Sequence, residues 1–116
     1  GMFDSCIQLN FINLSSFNTS NVTNMAKMFN NCSSLSNLSL NNFNTEQVKN
    51  MSGMFSYCST IEEIVLSTEF NGESVLNMDY MFKECTNLTS INLTNFKAPY
   101  CSSMEELFYS CESLSL

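Results

Sequence analysis

The chain has 116 residues and a formal charge of −7, yet only 13% of its residues are charged and it contains no His and no Trp. An acidic surface repels phosphate backbones and anionic headgroups, which argues against nucleic acid and against direct membrane insertion; no apolar run reaches the roughly 18 residues a membrane-spanning helix needs. Without His there is no Ser/His, Cys/His or Asp/His constellation, and with no phosphate-cradling Gly-rich loop, calcium loop or Cys-x-x-Cys pair the chain shows no enzyme, cofactor or metal signature.

One sentence is written along the chain in near-copies. Met2-Phe3, Met28-Phe29, Met54-Phe55, Met81-Phe82 and Leu107-Phe108 open the copies, and Cys6, Cys32, Cys58, Cys85 and Cys111 follow at a constant offset. The copies run 2–27, 28–53, 54–80 and 81–106, with a partial one at 107–116, so the step is 26 residues and once 27. A fixed period in this range predicts a solenoid, and residues 1–116 form one repeat domain that reads as a fragment of a longer array.

Within each copy the first element is a short strand. The apolar positions Leu9/Ile12/Leu14, Leu35/Leu38/Leu40, Ile61/Ile64/Leu66 and Leu88/Ile91/Leu93 end in an alternating pair, so stacked copies would pair into a parallel sheet. Phe17, Phe43, Phe70 and Phe96 follow, and are expected to stack as an aromatic spine at the next corner. The second element changes period. Val22-Met25-Phe29-Cys32 and its equivalents recur every three and four residues, which predicts a short helix or successive 3₁₀ turns, N-capped by Ser20/Asn21 and Ser74. The extra residue of copy three falls near Thr68-Glu69, between the two elements. The predicted fold is therefore an α/β solenoid with a short parallel sheet on one face and short helical segments on the other.

The Leu-x-x-Leu-x-Leu segment resembles leucine-rich repeats. The longer Met-Phe-x-x-Cys-x-x-Leu-x-x-Leu-x-Leu-x-x-Phe-Asn-Thr sentence is similar to the BspA-like repeats of bacterial and protist surface proteins, across Met2 to Leu116. The resemblance implies a leucine-rich-repeat fold, a secreted or surface-anchored location, and adhesion to an extracellular protein or glycan. Local departures are Asn71-Gly72 in place of Asn-Thr, Lys97-Ala98-Pro99-Tyr100 in copy four, Cys101 in place of Val, and Leu116 where an outward polar residue stands elsewhere.

Three groups of residues could carry chemistry. The cysteines lack metal-site spacing and, like the Met and Phe stripes, read as core; Cys101 in a Val position supports this. The Asn-x-Ser/Thr sequons are abundant, and Asn18 and Asn21, in the corner loop, are the best candidates for glycosylation. The adjacent carboxylates Glu62-Glu63 and Glu105-Glu106 read as solvated charge. What remains is the outward face of the sheet, where leucine-rich repeats commonly bind. Its ladders contribute Phe11, Asn37 and Glu63, then Asn13, Ser39, Val65 and Asn92, then Asn41 and Thr94. The expected function is non-enzymatic recognition through these residues. The alternative is a structural spacer or fibre that self-associates end to end.

Overall fold

Twice in every copy the backbone passes through the left-handed region. Lys27, Gly53, Tyr80 and Glu106 form one column of such residues, and Ser5, Asn31, Tyr57, Glu84 and Ser110 form a second, with φ between 50° and 62°. Each closes a tight turn, as in Met28 N–H to Met25 O at 3.2 Å and Cys32 N–H to Phe29 O at 3.2 Å. The pattern is that of type II turns, whose third residue has positive φ. Left-handed residues cost about 1–2 kcal/mol each for side chains other than Gly, and two within five residues leave no room for an α-helix.

The structure, a computed structural model, describes residues 1–115; Leu116 lies outside the described residues. It contradicts the predicted leucine-rich-repeat solenoid with helical segments. Among the described residues there is no helix, and the only strands are β1 (Asn37–Leu40) and β2 (Glu63–Leu66). The body measures 31 × 30 × 23 Å with a radius of gyration of 12.8 Å, close to the ~13 Å of a compact domain of this size. The spacing of three and four residues that predicted helices comes from consecutive turns, each bonded from residue i to i+3. The expected N-caps have no helix to cap: Ser74 Oγ instead donates to Glu46 O.

Strands β1 and β2 are parallel, with Asn37 opposite Glu63, Leu38 opposite Ile64, Ser39 opposite Val65 and Leu40 opposite Leu66. Copies one and four contribute no strand, although an isolated bridge joins Glu63 to Ser90. The remaining pairing lies on the turn side. Bridges connect Asn24 to Asn50, Asn50 to Asn77 and Asn77 to Ser103. Beyond them alternate residues donate across copies: Met25, Lys27, Phe29 and Asn31 give their N–H groups to Asn50, Ser52, Met54 and Ser56 at 2.7–2.9 Å. The intervening amides are used locally, in the i to i+3 turns or on the Asn side chains that start them. Ala26, Ser52 and Asp79 each donate to Asn24, Asn50 and Asn77 Oδ1 at 2.8 Å. In copy four Ser103 replaces that Asn, and Asp79 of copy three accepts the Glu105 N–H at 2.7 Å and the Ser103 hydroxyl at 2.5 Å. Those two bonds hold the Asp79 carboxyl below its ordinary range.

The core lies between strands and turns, and Leu35, Leu40, Phe43, Met51, Met54, Phe55, Ile61 and Leu88 are buried in it. The aromatic spine is not the one expected. Phe3, Phe29, Phe55, Phe82 and Phe108 stack with centroids 5.3–5.8 Å apart and planes within 15°. Of the predicted column, Phe70 and Phe96 meet at 6.0 Å and are tilted by 34°. The Met-Phe residue sits directly over its equivalent because the turn ladder holds both backbones in register; the corner Phe side chains lie where copy three carries its extra residue.

The Phe-Asn-Thr corners use their Thr as a clasp. The buried Thr45 hydroxyl donates to Asn71 O and accepts the Asn71 N–H, both at 2.7 Å, and Thr19 does the same with Asn44 at 2.9 Å. Thr45→Val keeps the shape and strands a buried amide and carbonyl, so it should cost about 1–3 kcal/mol. Urea unfolding of the two proteins checks this.

Candidate functional site

The sheet face is built by alternation. Leu38, Leu40 and Ile64 point into the core, so Asn37, Ser39, Glu63 and Val65 point out, and all four are exposed. Phe11, Asn13, Asn41, Asn92 and Thr94 are exposed as well, Phe11 to 74%. β1 and β2 bring Asn37 beside Glu63 and Ser39 beside Val65. Asn13 and Asn92 lie outside any strand, and each turns its Oδ1 onto a backbone amide, that of Ser15 or Thr94, at 3.0 Å. Their amide nitrogens and the whole side chain of Asn41 have no hydrogen-bond partner among the described residues. The face thus offers donors and acceptors in rows, flanked by two apolar side chains.

The corner sequons are exposed. Asn18 Oδ1 accepts from the Ser20 amide at 3.1 Å and the Ser20 hydroxyl at 2.7 Å, and Asn21 makes no side-chain bond among the described residues. Glu62, Glu63 and Glu105 are solvated, while Glu106 pairs with Lys83 at 2.7 Å.

The cysteines form a third column, and their thiols reach back one copy. Cys32, Cys58, Cys85 and Cys111 donate to the carbonyls of Phe3, Phe29, Phe55 and Phe82 at 2.9–3.1 Å. Burial pushes the thiols up, Cys32 to about 11 and Cys58 to about 12, with Cys85 moved in the same direction. A thiolate is the nucleophile, so these groups are inert near neutrality. Below the ordinary thiol value of 9.0 both folded and unfolded chains hold the proton; above it only the folded chain does. This contribution to stability is therefore lost as pH rises from about 9 through about 12. Thermal melts across that range should show the decline, with a shallower one in Cys58→Ala. An iodoacetamide time course at pH 8 should label Cys6 and Cys101 well before Cys58.

The sequence reading missed a concavity on the turn side. It is an open groove of about 710 Å³ whose floor is Gly53, Ser52 and Ser56 and whose walls include Lys27, Tyr57, Tyr80 and Lys83. Lys83 Nζ lies 5.2 Å from the Tyr80 ring centre and 5.3 Å from that of Tyr109. With its Glu106 partner, which raises the ammonium's affinity for its proton, it forms a tied wall. The signal was present in the aligned copies: the column Lys27, Gly53, Tyr80, Glu106 loses its side chain at one place only.

A family model described as "Mycoplasma protein of unknown function, DUF285" matches residues 1–116, and the chain belongs to that family of repeat proteins. No curated protein and no solved structure matches it.

Proposed function

We propose that the chain is a non-enzymatic recognition module of the BspA-like kind, secreted or displayed at a cell surface, which adheres to an extracellular protein or glycan through the sheet face. The observation that supports this reading is the exposed polar lattice of Asn37, Ser39, Asn41, Asn92 and Thr94 beside Phe11 and Val65. Short amides and hydroxyls lose little freedom on binding, and a locked backbone holds them in place. The test is saturable binding to immobilised matrix proteins and glycans, with light scattering to report mass. Asn41→Trp with Asn92→Trp should abolish binding without changing the melt. A well-folded chain that binds nothing, but whose mass climbs with concentration, would replace recognition by a self-associating spacer.

A further inference from the structure

The groove on the turn side has a composition unlike the rest of the surface. The chain carries four cationic side chains in all, and two of them, Lys27 and Lys83, line this one concavity. Lys83 is neutralised by Glu106, whereas Lys27 has no ion-pair partner among the described residues. Tyr57 and Tyr80 are exposed beside them, although Tyr side chains bury well when a site allows it.

The gap has a defined origin. Lys27, Gly53 and Tyr80 occupy the same position in successive copies, so the missing side chain at Gly53 opens a slot between the other two. Its ends are roughly 10 Å apart, two steps of the ~4.8 Å spacing between paired chains. A Cβ on Gly53 would lie 3.4 Å from Lys27 Cγ, so the lysine stem runs along the slot's edge. Ser52 and Ser56 add hydroxyls to the floor and Asn31 an amide to the rim. Asp79 also lines the groove, but its Oδ1 is occupied by Ser103 and the Glu105 amide.

We propose that this groove is a binding site for a saccharide bearing a carboxylate. The slot is about one sugar ring wide. Tyr57 and Tyr80 present flat apolar faces to the ring's C–H edges, the serines and Asn31 meet its hydroxyls, and the Lys27 ammonium takes the carboxylate. A neutral sugar would leave Lys27 unused, and an extended peptide would need a longer channel. The site lies away from the sheet face, so this inference and the sheet-face reading can fail separately.

The test is a titration of the 116-residue chain with glucuronic acid, and with glucose as its uncharged counterpart. With no Trp and only four Tyr, tyrosine fluorescence reports largely on this region. Glucuronic acid should saturate the signal and glucose should bind more weakly. Lys27→Asn should weaken glucuronic acid roughly tenfold, the scale of a lost charge-assisted contact, with little effect on glucose. Tyr57→Asn installs the residue that stands at that position in copy two and tolerates the left-handed backbone; it should weaken both sugars. Asn41→Trp on the sheet face should change neither. Absence of saturation in a cooperatively melting protein, equal affinity for the two sugars, or loss on Asn41→Trp alone would each overturn the proposal.

Discussion

Phe55→Ala should destabilise the protein by about 3–5 kcal/mol, the usual cost of emptying a buried aromatic site. Phe55 is the middle ring of the stacked column, 5.8 Å from Phe29 and 5.3 Å from Phe82, and has no exposed surface. Removing it takes away two ring contacts as well as its own burial. The space cannot close, because the ladder fixes the flanking copies: Phe29 N–H on Met54 O and Phe55 N–H on Met81 O are both short bonds. For a domain of this size the melting temperature should fall by about 10–20 °C. Phe108→Ala, at a half-buried ring, should cost visibly less. Equal losses at the two positions would mean that the column does not act as a packed stack.

Restoring the repeat's own residue at position 72 should do harm. Copies one and two have Thr19 and Thr45 there, so Gly72→Thr looks like a repair. Yet a Cβ at Gly72 would lie 2.7 Å from Lys97 O, 2.9 Å from Phe96 Cζ and 3.0 Å from Ala98 Cβ. The first is backbone, tied by the Gly72 N–H at 3.0 Å, and cannot swing aside. Overpacking of this kind costs about 1–3 kcal/mol, and the hydroxyl adds a group to be satisfied. Gly72→Ala should already show most of the loss, since the clash begins at Cβ. Denaturant midpoints for the two variants check the point; a stabilised Gly72→Thr would show that copy four yields.

The departures of copies three and four from the pattern thus belong together. Gly72 lets the Lys97-Ala98 backbone approach, and Ala98 is small where the first copies have Thr. Nothing in a single copy reveals this; it is a fit between neighbours.

The step of the repeat, the burial of its Leu, Met, Phe and Cys positions in the central copies, and the alternation that turns Asn37, Ser39, Glu63 and Val65 outward were legible, because each depends on spacing and polarity; Met2 and Met104, expected in the core, stand exposed. The helical segments were misread for a physical reason. A run of turns that advances three residues per bond gives the same apolar spacing as a helix, and only backbone dihedrals separate the two. Gly and Asn announce positive φ, but only Gly53 and Asn31 do so here, while Lys27, Tyr57, Tyr80, Glu84 and Glu106 hold the equivalent positions in other copies. The wrong Phe column was chosen because stacking depends on which stretch of backbone carries the ladder. Strands were expected in four copies and formed in two. The turn groove was missed because it results from one absent side chain between two large ones.

The alternate amides of the turn side also have a common direction. From Phe3 through Glu84 they point from each copy to the next, as in Phe29 to Met54, Phe55 to Met81 and Phe82 to Leu107. Aligned peptide groups add, as they do along a helix, and leave the positive end of the sum where N–H groups lead. That end is the copy-four and copy-five side, and the half of the chain towards it is the acidic one: nine of the eleven carboxylates follow residue 57, five in copy three and four beyond it, while residues 1–57 are neutral. The acidic half of the chain thus lies towards the positive end of its own backbone ladder.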